Sequence, residues 1–146
     1  MIAGYSGDWG NYVILTEEEI VLQAAGITSY KGVPVIEISF MEGEAFSFGV
    51  IFVGPDVNSV QTLRHEYGHA RHFRQIGMDK YILFVAIPSL YGYWVGPVGD
   101  DYYSQPWEYI ADILGRVNRK DKNGNPHQYQ TSNIEVVLYW LLTLLA

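Results

Sequence analysis

A chain of 146 residues, 49% of them hydrophobic, is long enough to bury one substantial core and too apolar to be disordered. Its formal charge of −7, with no Lys/Arg cluster to override it, argues against nucleic acid as a partner. The absence of cysteine excludes disulfides and thiolate metal sites, so any metal must be held by His, Asp or Glu; it fits a reducing and an oxidising compartment equally.

The opening Met1-Ile2-Ala3-Gly4-Tyr5 lacks the basic start and apolar core of a signal peptide. The expectation is a cytoplasmic protein, or a domain delivered as part of a larger secreted one. Residues 1–12, rich in Gly, Tyr and Trp, read as an irregular lead-in. Thr16-Glu17-Glu18-Glu19 is a capping box that predicts a short helix through Ala25, ended by Gly26. The three glutamates suit the positive end of a helix better than they suit an acidic metal site. Residues 33–41 and 45–53 are rich in β-branched and aromatic side chains, and Glu42-Gly43-Glu44 lies between them. The pattern predicts an antiparallel hairpin. Gly54-Pro55-Asp56 then turns the chain into a helix at about Ser59.

That helix carries His65-Glu66-Tyr67-Gly68-His69, a H-E-x-x-H pentapeptide. At about 3.6 residues per turn, side chains four apart sit one above the other. Both imidazoles can then hold one zinc ion, with Glu66 beside it as general base. Asn58-Ser59-Val60-Gln61 offers an N-terminal cap and Gly77 a C-terminal stop. Leu63, Tyr67, Ala70 and Phe73 form a separate apolar stripe for packing. Gly68, a poor helix former, makes sense where another backbone or a substrate comes close. A strand running into such a helix matters because an edge strand near the metal can take up an extended peptide.

Residues 81–99 carry no charge and are about as long as a membrane span, but Pro88, Gly92, Gly96 and Pro97 break a helix there repeatedly. They read as buried or substrate-facing irregular structure, with membrane contact as the alternative. Pro106 suits the first turn of a helix introduced by Ser104 or Gln105 and running to about Asn118. Residues 120–127 read as a polar loop with an Asn123-Gly124 turn. Ser132-Asn133-Ile134-Glu135 is another capping box, opening a packed terminal helix.

Catalytic zinc usually takes three protein ligands and leaves a position for water. Among the candidates for the third, His72 sits on the same straight helix three residues after His69 and would have to bend around it. His127 lies in a loop. Glu108 is preferred, because Asp112 follows one turn later on the same face, with the small Ala111 and Gly115 flanking it. Asp112 is expected to accept a hydrogen bond from a liganding histidine, His65. The metzincin pattern wants Gly and His where this chain has His72 and Gln75, which disfavours that class. For the oxyanion of an acyl-transfer intermediate, Tyr91, Tyr93, Tyr102, Tyr103 and His127 all stay open as donors.

The combination of His65-Glu66-x-x-His69 with Glu108-x-x-x-Asp112 resembles the gluzincin metallopeptidases, the thermolysin-like arrangement. More closely, residues 62–69, Ile87-Pro88-Ser89-Leu90 and Pro106-Trp107-Glu108 with Ala111-Asp112 and Leu114-Gly115 resemble metallopeptidase domains at the C-termini of bacterial Rhs-type polymorphic toxins. The resemblance covers roughly residues 45–120. It implies an α+β, zincin-like fold, a small antiparallel sheet against the active-site helix with further helices, as one domain over residues 1–146. It also implies a zinc metallopeptidase acting on peptide or protein substrates, in a toxin setting where an inhibitor or immunity protein is the natural partner. Two alternatives stay open: a non-catalytic zinc-binding domain on a zincin fold, and a zinc hydrolase of a non-peptide amide. Glu66 speaks against the first, because a purely structural zinc site needs no general base.

Overall fold

The structure, a computed structural model, describes residues 22–24, 27–41, 43–55, 60–95 and 99–146. The expected lead-in over residues 1–12, the Thr16–Glu19 capping box and the Asn58–Ser59 cap lie outside these residues. What is described is an α+β arrangement: a five-stranded mixed sheet with helices following it in the chain.

The helix expected through Ala25 does not extend over Leu22–Ala24, which form strand β1 and pair antiparallel with β2 (Ile27–Tyr30). Ile27-Thr28-Ser29-Tyr30 is a β-branched and aromatic run, and its ladder draws the preceding segment into the sheet. A two-residue turn, Lys31-Gly32, both at positive φ, leads into β3 (Val33–Glu37), antiparallel to β2.

The predicted hairpin between residues 33–41 and 45–53 is corrected. β3 pairs in parallel with β5 (Ile51–Val53), while β4 (Ala45–Ser47) pairs antiparallel with β5 on its other side. The cause is Gly49, at φ 81, which folds residues 45–53 back on themselves where the sequence pattern reads one strand. That reversal brings β5 alongside β3 in the same direction. The order is β1-β2-β3-β5-β4, so β5, which feeds the long helix, is an inner strand and β4 is an edge.

Helix α1 (Val60–Ile76) packs on the sheet through Leu63 and Ala70, which join Tyr30, Val33, Val35, Ile51 and Val53 in one buried cluster. Tyr67 is half-buried against it, its ring edge-on to Tyr30. Phe73, from the same predicted stripe, packs instead with Phe48, Ile76, Tyr81 and Val85. Gly77, at φ 85, ends α1.

Residues 78–95 are helical, not irregular: α2 (Met78–Tyr81), a π-helical turn (Ile82–Ala86) and α3 (Ile87–Val95) run on without a gap. Pro88 has no N–H to donate, and the wide turn before it makes room for its ring. The Phe84 carbonyl one turn back is satisfied by the Tyr139 hydroxyl, at 2.7 Å. Gly92 is buried because the Gln105 side chain occupies the space of a Cβ. No helix among the described residues is long and apolar enough to cross a membrane.

A 3-10 turn (Gly99–Ser104) leads to α4 (Pro106–Gly115), with Pro106 in its first turn. α4 ends at Gly115 rather than about Asn118, because Arg116 adopts φ 57 and turns the chain. After the polar loop with Gly124 at φ 82, Ser132 caps α5 (Asn133–Leu145) by accepting the Glu135 N–H at 3.2 Å. One face of α5 carries Val136, Tyr139, Trp140 and Thr143 inward; Ile134, Leu138, Leu141 and Leu145 stay exposed on the other.

Candidate metal centre

The site forms where α1 crosses α4, and two glycines set how close that crossing is. A Cβ on Gly68 would stand 1.8 Å from the Ala111 carbonyl oxygen, and one on Gly115 would stand 1.8 Å from that of Arg64. Glycine at both positions lets the two backbones touch, which brings the polar face of α4 against the histidines of α1. The expectation that another backbone approaches Gly68 identifies Ala111 as that neighbour.

His65, His69 and Glu108 are all buried, and each offers one ligand atom within 4.8 Å of the others. The one hydrogen bond within the group is long, His69 Nε2 to Glu108 Oε1 at 3.4 Å. Glu108 Oε2 lies 2.9 Å from His69 Nε2 without making a directed hydrogen bond, and Glu108 Oε1 lies 3.7 Å from His65 Nε2. Glu66 Oε2 and His69 Nδ1 are also buried without a hydrogen-bond partner in the protein. Buried polar atoms left this way cost roughly 1–3 kcal/mol each. A cation at the meeting point of the three donors would take Glu108 Oε2 together with the Nε2 atoms of both imidazoles. The group could therefore hold a metal ion.

His65 is fixed from behind. Its Nδ1 donates to Asp112 Oδ1 at 2.6 Å, which fixes the ring with Nε2 turned to Glu108. Asp112 also accepts from Arg119 through Nε and an Nη atom, both at 2.9 Å, and from the Tyr129 hydroxyl at 2.5 Å. Burial alone would raise the Asp112 carboxyl; the hydrogen bonds from Arg119 and His65 outweigh it and hold it well below the usual carboxylate range. For His65, burial pulls the pKa down, and Asp112 and Glu108 more than reverse that, leaving it well above its ordinary value. The Arg119 guanidinium carbon lies over Tyr103, 3.3 Å from the ring centroid, and Tyr103 in turn stands edge-on to His65.

Glu108 has its own support. The Ser89 hydroxyl donates to Glu108 Oε1 at 3.0 Å, so the Tyr102 hydroxyl, 2.9 Å from Ser89 Oγ, donates to the serine. Burial would raise Glu108; His69 and His65 overcome it and keep the carboxyl well below 4.5. Glu66 goes the other way. Burial pushes its carboxyl up, Glu108 and Asp112 add repulsion, and the two histidines offset only part of this. Three acidic groups in one buried site thus divide into two held ionised and one with raised proton affinity.

The other candidates lie elsewhere. His72 is fully buried on α1 and donates from Nε2 to Thr143 Oγ1 at 3.0 Å, since that hydroxyl is itself committed to the Trp140 carbonyl. Burial pushes its pKa down to about 4, with His69 adding to the effect. His127 is buried edge-on to Tyr129, outside the three-residue group. Tyr93 donates to Glu44 and Tyr91 is exposed, while Tyr102 and Tyr103 are engaged as described. Sequence reasoning gave no role to Arg119, Tyr129 or Ser89. The one available cue was that a buried Asp112 needs a cationic partner. No protein-family model, curated protein or solved structure matches this chain.

Proposed function

We propose that this chain is a zinc-dependent metallopeptidase on a zincin-like fold, with His65, His69 and Glu108 as the zinc ligands. The observation that carries the reading is the division of labour in one buried group. Two imidazoles and the ionised Glu108 converge, while Glu66 stays beside them with its Oε2 lacking a hydrogen-bond partner and its proton affinity raised. Nitrogen and carboxylate donors suit zinc, and three protein donors rather than four are the pattern of a catalytic site.

Zinc bound there would polarise a substrate carbonyl and draw the pKa of water down to about 7. The remaining work belongs to the protein. Glu66 accepts a proton from the attacking water and returns it to the departing amine; its raised pKa favours both transfers near neutral pH. Asp112 keeps His65 in the tautomer with Nε2 free, and Ser89 keeps the Glu108 carboxylate turned to the histidines. The edge strand β4, which lies against α1, is where an extended peptide would add to the sheet.

The test is Glu66→Gln, assayed beside the zinc-loaded wild type on a mixed peptide library by mass spectrometry. The variant keeps zinc and thermal stability yet loses turnover by about 10²–10⁴-fold, the usual contribution of general-base catalysis. Undiminished cleavage by Glu66→Gln would refute the mechanism.

A further inference from the structure

Three of the chain's nine Lys and Arg residues, Lys31, Arg71 and Arg116, line one open depression of about 250 Å³, together with Tyr67 and Leu114. No acidic residue lines it, in a chain whose net charge is −7. Among the described residues none of the three is ion-paired with a carboxylate. Lys31 Nζ stands 5.3 Å from the Tyr67 ring centroid, and Arg71 gives one N–H to the Leu114 carbonyl at 3.0 Å. The rest of the Arg71 fork remains for another acceptor. Tyr67 and Arg71 each follow a histidine of the metal group by two residues, about 200° round the helix. The depression is therefore across α1 from the metal centre.

The backbone supplies a second, independent observation. Lys31 at φ 48 and Arg116 at φ 57 are the only non-glycine residues at positive φ among the described residues. Lys31-Gly32 is a two-residue hairpin turn, where Asn-Gly is the relaxed choice. Arg116 ends α4 in the left-handed conformation that glycine takes most easily. At both places a cation occupies a conformation that suits another residue better, and both cations line the same depression.

We propose that this depression binds a small oxyanion of the phosphate type, held by the Lys31 ammonium and the Arg71 and Arg116 guanidinium groups. Guanidinium forks take phosphoryl oxygens two at a time, and the lysine adds a compact charge. The anion would join the β2–β3 turn, α1 and the end of α4. Since α1 and α4 also carry His65, His69 and Glu108, an occupied site would stiffen their crossing without touching the metal group. This inference does not depend on the peptidase reading.

Lys31→Asn and Arg116→Gly make the test clean, because each removes a cation while relaxing the backbone. Binding of inorganic phosphate, pyrophosphate and citrate to the purified chain is measured by titration calorimetry and thermal denaturation, against sodium chloride at matched ionic strength. Phosphate and pyrophosphate should raise the wild-type melting temperature above the chloride control. Both variants should melt at or above wild type in chloride and bind pyrophosphate at least tenfold more weakly. Phosphate and pyrophosphate acting no better than chloride, or variants that keep the wild-type affinity, would overturn the site. Citrate binding more tightly than pyrophosphate would overturn its assignment to phosphate-type ligands.

Discussion

Adding one methyl group at Gly68 tests whether the closeness of α1 and α4 is what assembles the metal group. In an isolated helix Gly→Ala is favourable by about 1 kcal/mol. Here the new Cβ would stand 1.8 Å from the Ala111 carbonyl oxygen, and Cβ atoms essentially never approach closer than 3.0 Å, so α4 must retreat by about 1.2 Å (3.0 − 1.8). A retreat of that size takes the 2.6 Å contact between His65 and Asp112 out of hydrogen-bond range. Overpacking costs about 1–3 kcal/mol and a lost hydrogen bond to a charged group about 1.5–3, against the 1 gained. The net expectation is a loss of about 3 kcal/mol, or roughly 6–12 °C in melting temperature for a chain of this size. Thermal denaturation reads the first effect. Competition with a chromophoric chelator reads the second, a zinc affinity reduced with stability because Glu108 moves with α4. A Gly68→Ala protein as stable as wild type and equally retentive of zinc would refute the argument that this crossing builds the site.

Asp112→Ala should weaken zinc retention by about 10–100-fold in the same competition, the usual consequence of losing a carboxylate behind a liganding histidine. An unchanged affinity would mean that Asp112 does not orient His65. Ser89→Ala, which frees one Glu108 oxygen from its donor, should weaken retention in the same direction but by less, since Glu108 keeps its contacts with both histidines. His72, with its pKa pushed down to about 4 by burial, takes up a proton later than the unfolded chain does at about 6.5. Its contribution to stability is complete above pH 6.5 and drains away as pH falls towards 4, to a ceiling of about 3 kcal/mol. His72→Gln keeps a donor for Thr143 without titrating, so urea denaturation between pH 4 and 6.5 should show a shallower slope in the variant; equal slopes would contradict this. The raised pKa of His65 acts in the opposite sense, but in both proteins, and cancels from the comparison.

What could be read in the sequence were the features governed by spacing along one helix. His65 and His69 sit four apart, as do Glu108 and Asp112, and the small residues Gly68, Ala111 and Gly115 marked where those helices would meet. The sheet was harder, because residues 45–53 look like one strand and only Gly49 turns them into two. That single reversal decides whether β5 lies parallel or antiparallel to β3. Residues 81–95 were misread for a tertiary reason. Pro88 is a helix breaker by local rules, but the π-helical turn and a hydroxyl from Tyr139, 55 residues from the Phe84 carbonyl it satisfies, remove the cost. Arg119 and Tyr129 escaped for the same reason: they come from the segment between α4 and α5, either side of the polar loop, and only the folded chain places them on Asp112.

The most direct measurement is zinc K-edge X-ray absorption of the purified chain loaded with one equivalent of zinc, with Glu108→Gln alongside. The account predicts two imidazole nitrogens and a carboxylate oxygen at about 2.0–2.2 Å, with the remaining position filled by a light atom from solvent. In Glu108→Gln the carboxylate contribution should disappear and the ion be largely lost on dialysis. A wild-type spectrum without two imidazoles, or one that Glu108→Gln leaves unchanged, would contradict the assignment of His65, His69 and Glu108 as the ligands.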